Sequence, residues 1–340
     1  MVQQPVTFFI ITTLYNSSAT LKVTLDSLLH QTNSNFVHYL YDDGSPEPSD
    51  SMIQDYLAAV SKLPHPYRVI YERGSHNLGV DLAHQVAFRK ISCPYFLWLD
   101  SGDYLKANFF AIATKAISQH PDCSLFNTNR YTYRPEAVEH RSAGSYLSQS
   151  VLRQKDQLPN FIFGKDFLFS EMIIKTAAFK EVNPNDIILN GKEWGGLYYD
   201  DQIFYAMFLS GCKSHYISQP ISYKLDDPKS ASKVNPLSGD LALKGLIHYV
   251  TLLNFPEVQK QRLRDCLSLR ELILSVEGLV LQNKTAEAIE AYRSIKPLMI
   301  KQNLPATYFL RKARTKRFYF LARHPFFLHL YRRYRHLPAC

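Results

Sequence analysis

The sequence predicts an α/β protein built on a doubly wound parallel sheet. Three observations carry this reading. The run Tyr95-Phe96-Leu97-Trp98-Leu99 is apolar throughout and stops at Asp100-Ser101-Gly102-Asp103; an apolar run bounded by turn residues reads as a parallel strand buried on both faces. Two earlier β-rich runs, at 6–11 and 36–41, end in Thr12-Thr13 and in Asp42-Asp43-Gly44-Ser45. Between the runs lie stretches of helical spacing, so strand and helix alternate from residue 6 to residue 99.

The elements follow in order. Val6 to Ile11 supplies a buried first strand, ended by Thr12 to Asn16. Ser17 or Ser18 can cap the next helix, in which Leu21, Leu25, Leu28 and Leu29 share one face. Phe36 to Tyr41 is the second strand, Met52 to Val60 a helix and Tyr67 to Tyr71 the third strand. Gly74 to Gly79 forms a turn, and Leu82 and Val86 mark a helix ending near Lys90. Ligands of open α/β sheets bind beyond the carboxyl ends of the strands, which is where Thr12-Thr13, Asp42-Asp43 and Asp100-Asp103 collect. Two acids at a strand end suit a hard divalent cation that shares its remaining positions with phosphate oxygens; a plain polar turn uses the same residues. The first strand is followed by no GxGxxG, and the chain has no GxxxxGK[ST], which disfavours an ordinary dinucleotide fold and a P-loop.

Composition bounds the rest. A chain of 340 residues accommodates one large domain or two. No apolar run approaches the roughly 18 residues of a membrane span, and the amino terminus has no signal pattern. The five cysteines are scattered, with no CxxC pair, which argues against a disulfide scaffold or zinc site. No acidic residue follows Glu290, and residues 291–340 hold 12 of the 39 lysines and arginines. The basic character therefore belongs to one terminal segment.

Five segments, in order and at matching spacing, resemble the nucleotide-binding half of a family 2 glycosyltransferase with the GT-A fold. Thr13-Leu14-Tyr15-Asn16 resembles the Pro-Thr-Tyr-Asn that follows that family's first strand. Leu25 to Thr32 resembles its S-[IL]-L-x-Q-T, Tyr41 to Ser45 its V-D-D-G-S, and Asn77 to Val80 its N-x-G-V. Asp100-Ser101-Gly102-Asp103 stands at its D-x-D-type metal motif. The likeness continues more loosely to about residue 225, through Phe169–Phe179 and through Tyr199 to Phe204, where Gly211 closes a helix.

The resemblance implies a GT-A, Rossmann-like nucleotide-sugar-binding domain with a C-terminal helical region, and it implies roles. Thr13 and Tyr15 lie against the donor nucleoside, and Asp43 accepts a hydrogen bond from the base, uracil in a UDP-sugar. Asp103 holds a divalent cation, Mn²⁺ or Mg²⁺, with Asp100 and Ser101 near the donor sugar or the metal's waters. Asp201 is the catalytic base, and Asp200 replaces the Glu that precedes it in the family. Three departures stand out: Gly102 where a further acid is common, His84-Gln85 where Arg-Asn is common, and Asp-Asp for Glu-Asp. By residue type alone, Asp200 and Asp201 also read as the cap and first-turn acid of a helix. Trp98 reads as core, His84 as a helix-face residue, and Trp194 either as a sugar platform or as packing for its glycine-rich loop.

Expected boundaries are 1–225 for the catalytic domain, 226–305 for a helical domain and 306–340 for a basic, aromatic tail. Arginines and lysines interleave with aromatics between Arg311 and His336, which suits an anionic membrane surface and carries no nucleic-acid motif. The expected activity is inverting, metal-dependent sugar transfer to a surface-polysaccharide, lipopolysaccharide or lipid-linked acceptor, in the cytoplasm at the inner face of the plasma membrane. The alternative is a non-catalytic member that binds nucleotide sugar or glycan without turnover.

Overall fold

The computed structural model describes residues 7–47, 49–134, 137–142, 172–194, 199–226, 239–258 and 284–301, with single positions between 260 and 279. The basic segment 311–336 lies outside them. The chain divides into two compact units: Met1–Arg153 with Phe167–Pro256, and Gln154–Asp166 with Glu257–Cys340.

In the first unit the alternation read from the sequence gives a parallel half-sheet. Strands β1 (Phe8–Leu14), β2 (Phe36–Asp42), β3 (Arg68–Arg73) and β4 (Tyr95–Trp98) stand in the order β3-β2-β1-β4, every pair parallel. Helices α1 (Ser18–Leu29), α2 (Asp50–Ser61) and α3 (Val80–Phe88) connect them. The regular alternation stops at residue 99, and the all-parallel pairing stops with it. A two-residue strand β5 (Tyr104–Leu105) is followed by α4 (Phe109–Gln119), β6 (Cys123–Arg134), β7 (Ala137–Ser142), β8 (Ile173–Lys175), α5 (Thr176–Val182), α6 (Tyr199–Leu209), β9 (Lys213–Leu225) and α7 (Gly239–Leu252). Beyond β4 the order is β8-β6-β9-β5, with β8 antiparallel to β4 and β6, β9 parallel to β6, and β5 antiparallel to β9.

Both faces of the two central strands are covered, which explains the apolar runs Phe8–Ile11 of β1 and Tyr95–Trp98 of β4. On one face Phe8, Ile10, Leu40 and Leu97 join Leu21, Leu25 and Leu28 of α1, Ile53 and Tyr56 of α2, and Phe109 and Phe110 of α4. The alternate residues point the other way: Phe9 stacks on Tyr39, Phe96 meets Phe88 of α3 and Phe179 of α5, and Trp98 meets Tyr199 of α6. Trp98 is thus core, as its sequence context indicated. In the second unit, helix α8 (Thr285–Lys301) buries Ala288, Tyr292 and Ile295, spaced four and three apart, while Ala286 is exposed.

β1 runs past Ile11 to Leu14, where the threonines were expected to end it. Thr12 stays in the ladder opposite Leu40, fully buried, because its hydroxyl donates to Leu99 O at 2.9 Å. That bond orders a buried polar chain. With its proton committed to Leu99, Thr12 Oγ1 accepts from His38 Nε2 at 3.1 Å; His38 Nδ1 then accepts from Tyr56 OH at 2.8 Å, and Tyr56 accepts from Tyr67 OH at 2.9 Å. Burial lowers the His38 pKa to about 3, so this ring is neutral. A histidine whose folded pKa lies below its unfolded value stabilises the fold fully above about pH 6.5 and loses that contribution as pH falls. The stability advantage of the native protein over His38→Gln is therefore expected to shrink by about 1.4 kcal/mol per pH unit below 6.5. Urea unfolding of both proteins at pH 7, 6 and 5 checks it, and a pH-independent difference would contradict a neutral His38.

Candidate active site

The carboxyl edge of the parallel half is made of loops, each anchored by a carboxylate. After β1, Tyr15 is 46% exposed, Thr13 is half-buried beside Tyr41, and Asn16 takes a positive φ of 50°. Asn16 N–H donates to Ser45 Oγ, and Ser45 N–H donates to Asp42 Oδ1. Asp43 is 3% exposed; its two oxygens accept Leu78 N–H and Gly79 N–H, each at 2.9 Å. Burial pushes the Asp43 carboxyl above its usual range, although both N–H groups oppose this. Gly44, between these loops, has φ +70° and lies so close to His76 that a Cβ would meet its backbone at 2.6 Å. Only glycine fits.

The loop after β4 brings Asp100 and Asp103 together, and it brings a residue the sequence reading did not single out. Tyr104 pairs with Tyr223 in the antiparallel β5–β9 ladder, so Asp103 falls opposite Lys224. Lys224 Nζ lies 3.0 Å from Asp100 Oδ2 and 3.1 Å from Asp103 Oδ2. Leu225 N–H donates to Asp103 Oδ1, and Tyr199 OH donates to Asp100 Oδ1 at 3.3 Å. Burial raises the Asp100 pKa, but the Lys224 ammonium and the bonds from Lys224 and Tyr199 outweigh it and hold the carboxyl below its usual range. Thr24 completes the loop: it accepts Gly102 N–H and donates to Asp103 O. Ser101 Oγ is bonded to Thr20 Oγ1 at 3.0 Å.

This arrangement tests the expected divalent cation. Such an ion wants about six oxygens in a regular shell. Here two carboxylates face one another across an ammonium, and each of their four oxygens already accepts a hydrogen bond. Among the described residues no group of three or more His, Cys, Asp or Glu side chains is placed to hold a metal ion. As arranged, Asp100 and Asp103 fit a lysine and not a divalent ion.

The two acids of α6 stand beside this loop. Asp81 of α3 is 3% exposed and holds both ends of the glycine-rich loop before α6: Oδ2 accepts Gly191 N–H at 3.0 Å and Oδ1 accepts Tyr199 N–H at 2.7 Å. Burial raises its pKa to about 6, against both N–H bonds, and Asp200 adds to the rise. The Tyr199 ring lies flat on His84, 3.5 Å between centroids at 11°. His84 is therefore a buried support: its Nδ1–H donates to Val80 O, and burial lowers its pKa to about 4. Gln85, its neighbour, donates to Asp186 O. Asp200 follows Tyr199 and accepts Asp201 N–H on Oδ1 at 3.0 Å. Burial, with Asp100 as a like-charged neighbour, raises the Asp200 pKa to about 6, opposed by that N–H and by Lys224. Trp194 takes the packing role: it stacks on His248 of α7 at 5.2 Å, and Gly245 has no room beside it for a Cβ.

Asp100, Asp103, Tyr199 and Asp200 thus form one cluster around Lys224, while Thr13, Tyr15 and Asp43 belong to the neighbouring loops, joined where Asp43 N–H donates to Leu14 O. Lys224 and Asp81 carried no motif. The one signal available was an acid just inside the helix after Gly79; nothing local marked Lys224.

Known structures share this fold. S. aureus TarS 1-349 in complex with UDP-GlcNAc superposes with a TM-score of 0.59 at 16% identity, covering 89% of this chain and 82% of that one. The mannosyltransferase PcManGT of Pyrobaculum calidifontis, in complex with GDP-Man and Mn²⁺, gives 0.51 at 12% identity, over 96% and 86%. These likenesses bear out the GT-A fold class. The uncharacterized glycosyltransferase EpsJ of Bacillus subtilis (strain 168) is 27% identical over 136 residues, so the chain spans 38% of that curated relative. The family model for glycosyl transferase family 2 matches residues 9–178, half of the sequence. The chain belongs to glycosyl transferase family 2.

Proposed function

We propose that the protein transfers a sugar from a nucleoside diphosphate donor, a UDP-sugar by preference, to an acceptor hydroxyl with inversion. The observation that carries this is the bond from Tyr199 OH to Asp100: it ties the donor loop to the first turn of α6, where Asp200 and Asp201 stand. The UDP-GlcNAc and GDP-Man complexes of the two structural neighbours support a nucleotide-sugar donor.

In this reading Thr13, Tyr15 and Asp43 hold the nucleoside, and Ser101 and Asp100 lie near the donor sugar. The acceptor oxygen attacks the anomeric carbon as its bond to the diphosphate breaks. Asp201 takes the acceptor proton, and the electron pair of the breaking bond leaves on the diphosphate. Attack opposite the leaving group inverts the anomeric carbon, as in an inverting glycosidase. Negative charge growing on the diphosphate has to be met by a cation at the Asp100–Asp103 position. Mn²⁺ or Mg²⁺ is the family expectation, and the manganese-bound neighbour supports it; the lysine already there argues for another arrangement. The acceptor is a surface-polysaccharide, lipopolysaccharide or lipid-linked glycan at the inner face of the plasma membrane. Among the described residues no helix is long and apolar enough to cross a membrane; the basic and aromatic residues interleaved over 311–336 support contact through that segment.

The test is donor hydrolysis and transfer with a panel of UDP- and GDP-sugars, alongside thermal unfolding with UDP and GDP. Asp201→Asn is expected to lower kcat by about 10²–10⁴-fold with UDP affinity kept. Binding without turnover, unchanged by Asp201→Asn, would support the non-catalytic alternative.

The pH profile follows from Asp200. Its carboxyl, ionised above about pH 6, takes up a proton below it, so kcat/KM is expected to fall on the acid side with an apparent pKa near 6. Asp200→Asn should abolish that limb; an unchanged limb would assign it to another group.

Asp81 is a positioning residue. An amide has one acceptor oxygen for two N–H groups, so Asp81→Asn is expected to cost about 1–3 kcal/mol of stability and to lower kcat with UDP affinity within threefold. A parallel loss of UDP binding would show instead that the whole edge had collapsed.

A further inference from the structure

Lys224 is held too deliberately for a surface lysine. Its backbone lies in β9, a strand of 13 residues, one step past the Tyr104–Tyr223 pair. Its ammonium bridges the two carboxylates that, by family resemblance, would hold a metal, and its side chain keeps 30% of its exposure. Asp100 and Asp103 each accept a hydrogen bond from that ammonium.

A second observation points the same way. Gly102 stands where a further acid is common, and it does so under constraint. Its φ is +101°, and a Cβ there would lie 2.7 Å from Leu225 Cδ2 and 3.3 Å from Thr20 Cβ. Leu225 is the residue after Lys224, and its N–H closes on Asp103. The positive φ and the side chain of the residue next to Lys224 together disfavour a side chain at 102. At this site an ammonium stands between two carboxylates and position 102 offers no further acid.

We propose that Lys224 serves in place of a divalent cation: its ammonium, fixed by Asp100 and Asp103, meets the diphosphate of the donor, so that donor binding requires no added metal. The proposal rests on the donor-site reading above. It routes no proton through Lys224, which acts as a charge and a hydrogen-bond donor.

The experiment is calorimetric titration of the full chain with UDP and with GDP, in EDTA, in Mn²⁺ and in Mg²⁺, together with Mn²⁺ alone. The expected result is that a nucleotide binds in EDTA with a Kd within threefold of that in Mn²⁺, and that Mn²⁺ alone shows no binding at millimolar concentration. Lys224→Met should weaken that nucleotide at least tenfold in EDTA, with part of the loss restored by Mn²⁺, because the vacated carboxylates can then take the ion. Lys224→Arg should keep most of the metal-free affinity. Nucleotide binding that appears only with metal overturns the proposal and leaves the donor site standing. Wild-type affinity of Lys224→Met in EDTA overturns it equally, as does micromolar Mn²⁺ binding by the native chain without nucleotide. If Lys224→Met does not fold, the native-chain titrations decide. Absence of nucleotide binding under every condition rejects the donor-site reading and this proposal with it.

Discussion

Buried carboxylates bonded to backbone N–H groups hold the edge of this molecule together. Asp42 accepts from Ser45, Asp43 from Leu78 and Gly79, Asp81 from Gly191 and Tyr199, and Asp103 from Leu225. In the last three the donor comes from a distant stretch of chain. Loops carry many unsatisfied amides, and one carboxylate can accept from two of them at once. Hydrogen bonds to a charged acceptor are about twice as strong as neutral ones. A site assembled from half a dozen loops thereby acquires fixed geometry without extra secondary structure.

The same bonds give these acids two uses. A carboxylate has roughly four lone-pair directions, and Asp43 commits two to Leu78 and Gly79. Its proposed contact with a nucleoside base would add to the loop-holding bonds without replacing them. The turn reading and the ligand reading of Asp42-Asp43-Gly44 are in this sense complementary. Gly44 shows why the turn is needed: His76 passes within contact distance, and the loop carrying Leu78 and Gly79 closes on Asp43 just beyond it. At Asp103 the balance differs, since one oxygen faces Leu225 N–H and the other an ammonium.

What was legible in the sequence is what depends on short range. The two central strands announce themselves because burial on both faces demands apolar residues at every position, as in Phe8 to Ile11 and Phe96 to Leu99. The acids at the strand ends were visible for the converse reason, as charges where the apolar runs stop. Thr12 was misjudged as a strand end because its hydroxyl finds Leu99 O, 87 residues away, and no local pattern reveals a partner at that distance. His84 looked like one more polar residue on a helix; its burial follows from Tyr199, which reaches it only after α6 folds back. Lys224 is the clearest case. Its role depends on an antiparallel register between β9 and a two-residue strand that no hydrophobic period can specify.

The charges at the donor edge fit together once Lys224 is included. In the family pattern a cation stands on the helix after the N-x-G-V turn. Here that position holds His84, buried and neutral under Tyr199. A cation cannot simply be restored there, because desolvation on a packed face would oppose it. Lys224 supplies positive charge instead, at the end of β9 and between Asp100 and Asp103. It also moderates those acids: Asp100 is held ionised by it, while Asp200 is pushed up to about 6 by burial, with Asp100 as a like-charged neighbour and Lys224 opposing the rise. Two carboxylates a short distance apart thus diverge in proton affinity, the condition under which one stays charged as a fixed support and the other titrates near neutrality. One lysine, placed by strand register, thus holds Asp100 ionised and partly offsets the rise that burial imposes on Asp200.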